Sequence, residues 1–545
     1  MLNKKHSFLT LIIPVFLLLA GCANRQAITG GPRDRDPPKL LKATPPNMTR
    51  YFKAKTIKLD FDEYIKLTNT YSEITISPTP AKNPEYKLKQ KSLVINLKDS
   101  LEKNTTYVIN FGKAIADVNE SNVLKNFTYV FSTGSHIDSL SMSGRVINTT
   151  TGEREKDATV MLFTLKQDSL LFGKKKPTIF TTTDTAGNFS LNNLHEGKYK
   201  LYALKEANGG NKVYDNDKEL IAFSKKIIDL QRDTSDIQLK LFKETPEKFK
   251  LIEKQHFDQD GKISFYFNKS LDNPSVRVTY PPDFDKYKIA EISKTKDTAT
   301  IYMRNMDFDS IRVVILDNNK PLDTLALRKG KKESFLRILT FQYNLTELKL
   351  KPRTHLIATA SYPIDTFDPT LITLKEDSNE VSNFNIIRDT GNTRKFNIDY
   401  RWKQNANYTL LYSAGAFTDI YGDKNKGTTK HFSINKPENY SLLTLKMTVP
   451  DTGKSYIVEL LDDRSHILRQ DVIHKSGPVV YKDYLTGKYQ INVVYDDNNN
   501  GKWDSGNIHL KRQPENIWVD PEIITLRPNW EQETEITIPR EPATP

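Results

Sequence analysis

The sequence predicts an all-β chain of tandem β-sandwiches, and three observations carry that reading. Apolar residues alternate with polar ones at period two in short runs: Ile57, Leu59 and Phe61; Leu93, Ile95 and Leu97; Tyr107, Ile109 and Phe111; Phe127, Tyr129 and Phe131. Gly, Asn and Pro punctuate the runs at hairpin spacing. No apolar stripe at 3.6-residue spacing persists, so no long amphipathic helix is expected.

Composition agrees. A chain of 545 residues exceeds one core, and the usual domain size of roughly 150 residues implies several. Hydrophobic residues make up 37% and mean hydropathy is −0.57, a thin supply for large cores. Against that, 26 Phe, 25 Tyr and 4 Trp provide bulky anchors that disordered chains lack. The formal charge is +13, yet the signs alternate, as in Lys294-Thr295-Lys296-Asp297. A solvated surface follows, and a nucleic-acid partner is not expected.

Residues 1–21 read as a signal segment. A basic head at Lys4 and Lys5 precedes an apolar run from Phe8 to Ala20, too short for a membrane span. The end, Leu19-Ala20-Gly21-Cys22, resembles the bacterial lipobox, which implies a lipoprotein acylated (diacyl, palmitate-type) at Cys22. Cys22 is the only cysteine, so no intramolecular disulfide forms, and lipid would consume the thiol. The membrane is then a partner through the N-terminal lipid, with no later apolar run of spanning length. Ala23 follows the cysteine where an Asp would imply inner-membrane retention, so the outer membrane is expected. The run Ala23-Asn24-Arg25-Gln26 lacks acidic residues and favours the periplasmic face over the cell surface.

Residues 22–38, with Gly30-Gly31-Pro32 and Pro37-Pro38, read as a tether. A first module follows at 39–134. Its landmarks are Leu59-Asp60-Phe61-Asp62-Glu63-Tyr64-Ile65, a strand at 92–97, Asn104-Thr105-Thr106-Tyr107 and Phe131-Ser132-Thr133. This resembles the bacterial Ig-like domain of the S-layer (SbsA) type. A degenerate copy is read at 341–436 from Tyr362-Pro363-Ile364, Asn405-Ala406-Asn407-Tyr408 and His431-Phe432-Ser433-Ile434; it lacks the counterpart of Glu63.

The second type occupies 141–243. Asp184-Thr185-Ala186-Gly187-Asn188-Phe189 and Leu194-His195-Glu196-Gly197-Lys198-Tyr199 resemble the carboxypeptidase regulatory-like, transthyretin-type sandwich. Glycine supplies the turn and the aromatic plugs the sandwich. A partner at 437–545 shows Leu485-Thr486-Gly487-Lys488-Tyr489. In both copies an Asn/Gly-rich loop ends in aromatic-Asp, at Tyr214-Asp215 and Trp503-Asp504. Between the types, 246–340 reads as a divergent sandwich, from Ile263-Ser264-Phe265-Tyr266-Phe267 and Ser310-Ile311-Arg312-Val313-Val314.

Catalytic motifs are missing from the sequence. The nine His are scattered without a zinc pattern, no Ser lies in Gly-x-Ser-x-Gly, and Cys22 cannot be both anchor and nucleophile. Gly422-Asp423-Lys424-Asn425-Lys426-Gly427-Thr428-Thr429 lacks the phosphate-loop Lys and reads as a turn. One constellation is sharper. Asp496, Asn498, Asn500 and Asp504, with Gly501 between, have the alternation of an EF-type calcium loop, although Asn507 stands where a bidentate Glu belongs. The competing reading is an Asn/Asp hairpin closed by its own side chains, with no cofactor. Two aromatic sets, Tyr266, Tyr280 and Tyr287, and Trp503, Trp518 and Trp530, are read either as sugar platforms or as sandwich plugs.

The expected function is non-catalytic: a lipid-anchored rod of sandwiches serving as scaffold or binding surface at the outer membrane, with an envelope protein or glycan partner. The alternatives are a surface carbohydrate-binding or adhesion lipoprotein and an accessory subunit of an outer-membrane assembly or secretion machine.

Overall fold

The computed structural model describes residues 33–541 apart from 81, 99, 208–209, 217, 254–255 and 331–334. The signal segment, Cys22 and most of the tether lie outside the described residues. The chain is all-β, built as tandem sandwiches. Among the described residues the α-helices are two short ones, Thr70–Glu73 and Leu165–Leu171. The second begins at a Thr-x-x-Gln capping box, Thr164 to Gln167, a start signal the strand reading passed over. Alternation does what it predicts: in Thr56–Phe61, Ile57, Leu59 and Phe61 are buried while the residues between face outward.

The first core, around Phe61, Tyr107 and Phe131, lies between two sheets. One runs Leu40–Thr44, Thr56–Phe61, Ser92–Asn96, Glu85–Lys89; the other Thr128–Ser132, Thr106–Asn110, Thr75–Ser77. The same pairing recurs later in the chain. Phe341–Tyr343, Leu356–Ala360, Lys395–Asp399 and Asn385–Arg388 form one sheet, and Thr428–Ile434, Asn407–Tyr412 and Ile372–Glu376 lie adjacent in the other. A shared device explains Asn-x-x-Tyr. Asn104 and Asn405 take left-handed conformations (φ 52° and 62°), turning the chain so that the following tyrosine reaches back. The Tyr107 hydroxyl accepts from Glu102 N at 2.9 Å and that of Tyr408 from Lys403 N at 2.6 Å.

The other pair repeats equally closely. In the second sandwich Leu140–Asn148 pairs antiparallel with Asn188–Leu194 and parallel with Thr234–Lys243. In the fifth, Tyr440–Thr448 does the same with Gly477–Leu485 and Glu531–Thr537. The remaining order matches too: Ile179–Thr182, Thr159–Thr164, Gly197–Lys205, Leu220–Phe223 corresponds to Ile467–Ile473, Ser455–Leu461, Gly487–Asp496, Ile517–Val519. The Gly-x-Tyr landmark has one job in both. Each tyrosine arches back over its glycine, so that Tyr199 donates to His195 O at 2.8 Å and Tyr489 to Leu485 O at 2.6 Å. The third sandwich carries two three-stranded sheets around Phe265, Ile301 and Val313.

A rod is not what forms. The fifth sandwich, some 200 residues downstream by the sequence numbering, folds back onto the second. Ile508 is buried among Met161, Tyr202, Phe223 and Phe242 of the second sandwich. Around it, Gln513 Nε2 donates to Phe223 O at 2.8 Å, Lys511 Nζ to the Tyr202 hydroxyl at 3.1 Å, and Ser505 Oγ to Lys243 O. The connector at 243–250 is consequently a platform: Glu244 accepts from Ile508 N at 2.7 Å and Glu247 from Asn507 Nδ2 at 3.0 Å. The third and fourth sandwiches are likewise joined, with Tyr302 of the third buried in the core of the fourth and Arg394 bonded to its hydroxyl at 2.9 Å.

Candidate functional site

The joint between the first and second sandwiches is built on a sheet edge. Ile179–Thr182 is the outer strand of an eight-stranded sheet, and an open edge presents unpaired backbone groups. Asparagines of the first sandwich complete it. The Asn126 side chain donates to Thr182 O at 2.9 Å and accepts from Thr182 N at 3.0 Å, imitating a strand neighbour. Asn110 Nδ2 donates to Phe180 O at 2.5 Å. Beside them lies a buried ion pair, Lys212 Nζ to Glu73 Oε1 at 2.6 Å, with side chains only 4% and 9% exposed. Glu73 Oε2 also accepts from Lys113 N at 2.9 Å, and the Lys212 ammonium sits 5.0 Å from the Phe180 ring centre. Gly112 is required here: its φ is +52° and a Cβ would fall 2.3 Å from Glu73 Oε2.

Beside this joint is a cleft of about 1010 Å³. Its walls are the outward faces of Thr106–Asn110 and Asn188–Leu194, with Ile179–Thr182 at the back. Ser, Thr, Asn and Gln dominate the lining, and no Lys or Arg contributes to it, although the chain holds 80 of them. Besides the Tyr199 phenol, the ionisable groups are Asp138, Asp184, His136 and His195, with His195 Nδ1 at 3.2 Å from Asp138 Oδ1.

The sequence-predicted loop lies at the other joint. Asp496, Asn498, Asn500 and Asp504 do converge on one turn. Asp496 accepts from Asn500 N at 3.0 Å and Gly501 N at 2.9 Å, while Asp504 Oδ2 accepts the side-chain amides of Asn498 at 2.5 Å and Asn500 at 2.6 Å. The loop is therefore closed by its own hydrogen bonds. Among the described residues, no group of three or more His, Cys, Asp or Glu is disposed to hold a metal ion. The counterpart loop loses Asn208 and Gly209 to the undescribed positions.

Sequence reasoning missed Glu515, which closes the loop from beneath. It accepts from Asp497 N at 3.0 Å and Asp504 N at 2.9 Å, and its carbonyl accepts from Trp503 Nε1 at 3.0 Å. Burial pushes its carboxyl up to about 7; the two backbone donors oppose that, and the charges of Asp504 and Asp496 add to it. It stands eleven residues past Asp504, beyond the reach of a loop template. The aromatic sets do not act as units. Tyr266 and Tyr280 are exposed on strands of different sheets, and Tyr287 packs edge-on to Phe284. Trp518 packs on the fifth core, and Trp530 is exposed beneath Arg527.

Comparison with known proteins places one family on the chain: the bacterial Ig-like domain, matching residues 34–133. No curated protein matches. Among solved structures, the chain is similar to the major pilin subunit of Bacillus cereus, at 9% identity and TM-score 0.14, covering 73% of this chain and 99% of that one. It is also similar to the Bacillus anthracis TIE protein (9%, TM-score 0.14, covering 93% and 75%) and the S-layer protein rSbsC (9%, TM-score 0.14, covering 90% and 67%). At TM-scores this low none of them superposes on the chain as a whole.

Proposed function

We propose that this is a non-catalytic, lipid-anchored scaffold of the outer membrane, which holds β-sandwich surfaces in a fixed arrangement for an envelope partner. The observation that carries the reading is the pair of buried joints. Asn126 and the Glu73–Lys212 pair fix the first sandwich to the second, and Ile508 fixes the fifth. Flexible strings of domains are joined by exposed linkers that few contacts cross; here the joints are packed and hydrogen-bonded, as presentation of a surface requires. Ig-like character at 34–133 supports a structural role.

Anchoring rests on Leu19-Ala20-Gly21-Cys22. The test is Cys22→Ser with fractionation and protease shaving of intact cells. The variant is expected in the soluble fraction or as uncleaved precursor, and the native protein is expected to resist shaving, consistent with the periplasmic face. Normal processing and membrane retention of the variant would overturn the lipoprotein reading. The cleft favours a second reading, a glycan-binding lipoprotein, because its lining offers hydroxyls, amides and two carboxylates with no Lys or Arg. Calcium at Asp496, Asn498, Asn500 and Asp504 belongs to the same proposal as a stabiliser of the fifth sandwich, and it would have to displace the amides now bonded to Asp504.

A further inference from the structure

The pairing repeated between the second and fifth sandwiches also repeats an edge, and the two copies of that edge differ in what covers them. Ile179–Thr182 is buried, its outer backbone groups taken by Asn110 and Asn126 of the first sandwich. Its counterpart, Ile467–Ile473, pairs with Ser455–Leu461 on one side and with no strand among the described residues on the other. Three apolar side chains stand exposed on this short strand: Ile467 (50%), Leu468 (44%) and Val472 (47%). Lys and Pro are among the residues that blunt an edge strand, alongside other charges and bulges. This strand has neither.

Its two charges are of opposite sign and flank the central residue: Arg469, Gln470, Asp471. A twofold interface brings the same patch to itself, so the patch must be its own complement. We propose that Ile467–Ile473 is a homotypic docking edge, at which a second copy of the chain pairs antiparallel about a twofold axis through Gln470. In that register Arg469 of each copy faces Asp471 of the other, Gln470 meets Gln470, and the Ile467-Leu468 end lies against Val472-Ile473. Centring the pair one residue either way sets Arg469 against Arg469 or Asp471 against Asp471, and like charges directly opposite are destabilising. The charges select one register.

The side chains are already held at the edge. Arg469 contacts Asp471 at 2.5 Å within the strand, donates to Val480 O at 3.1 Å and lies 5.0 Å from the Tyr481 ring. The strand bulges between its partners Leu460 and Leu461, which leaves Leu468 out of the ladder and brings Ile467 and Leu468 together at one end. Pairing would satisfy the outer backbone groups of Arg469 to Ile473 and cover the three exposed apolar side chains, as Asn110 and Asn126 do for the other copy of the edge.

The test uses the full chain from residue 23 on. One strand per copy buries little area, so a weak dimer is expected, populated between roughly 10 μM and 1 mM in sedimentation equilibrium. Arg469→Asp and Asp471→Arg should each weaken it at least tenfold. An equimolar mixture of the two variants should associate again, because every Asp then meets an Arg, and the double variant Arg469→Asp/Asp471→Arg should dimerise like the native chain. Gln470→Cys should give a single disulfide-linked dimer; this arm decides should the charge variants fail to fold. A chain that stays monomeric to 1 mM, a dimer indifferent to both charge variants, or well-folded variants that fail to associate when mixed would overturn the proposal.

Discussion

Replacing Lys212 by Met removes one half of the buried ion pair at the first joint and leaves the Glu73 carboxylate desolvated. Glu73 keeps the Lys113 N–H at 2.9 Å, but loses the ammonium at 2.6 Å that neutralises it. Breaking a buried pair on one side costs about 3–5 kcal/mol, whereas replacing both partners by groups of similar volume is close to neutral. The cheapest escape is not unfolding of either sandwich but opening of the joint, which returns Glu73 to water. Taking about 3 kcal/mol, the joint should open roughly 150-fold more often, at a tenfold change per 1.4 kcal/mol. Hydrogen exchange reads this directly at Thr182 N, whose acceptor is Asn126 across the joint, while amides of the two cores should keep their protection. Glu73→Leu with Lys212→Met should restore most of the protection. Unchanged exchange at Thr182 in the single variant would show that the ion pair does not hold the joint.

Ile508→Ala should cost about 2–5 kcal/mol through loss of a fully buried side chain, released as detachment of the fifth sandwich and read as faster proteolysis across 505–515. Glu515, whose carboxyl is held up to about 7, takes up its proton at higher pH in the folded state than when unfolded. Its stabilising contribution is therefore complete below about 4.5 and lost as pH rises through 7. The melting midpoint should fall between pH 5 and pH 8, and Glu515→Gln should flatten that fall; an equally steep profile in the variant would refute the assignment. If Asp496, Asn498, Asn500 and Asp504 take calcium, the midpoint should rise across about 10⁻⁴ to 10⁻³ M calcium, the weak extracellular range, and Asp504→Ala should abolish the rise. A midpoint unmoved at millimolar calcium would leave the loop closed by its own hydrogen bonds.

Strands, turns and the two repeat types were legible in the sequence because each is a local device. Period-two burial, Asn-x-x-Tyr and Gly-x-Tyr each act within a few residues, and each was found where the pattern placed it. The joints were not legible, for a physical reason. Asn110, Glu73 and Lys212 are polar residues whose burial, like the partial burial of Asn126, arises only when a second sandwich arrives, so composition assigns them to solvent. Ile508 did leave a trace, as one of two aliphatic residues, with Leu510, in an otherwise polar loop. The segment 243–250 hides its part for a related reason: its Glu244 and Glu247 look solvated yet receive Ile508 N and Asn507. Serial modules in a sequence say nothing about whether the chain doubles back.

The return of the fifth sandwich is the central claim, and zero-length carbodiimide cross-linking of the intact chain tests it most directly. Lys502 and Asp272 lie 3.9 Å apart, belong to the fifth and third sandwiches, and are 67% and 76% exposed, so both are open to the reagent. A Lys502–Asp272 cross-linked peptide, formed within single chains at low protein concentration, is the predicted result. Links confined to single sandwiches and sequence neighbours, with Lys502 reactive yet never joined to Asp272, would mean that the chain is strung out and that the folded-back arrangement is wrong.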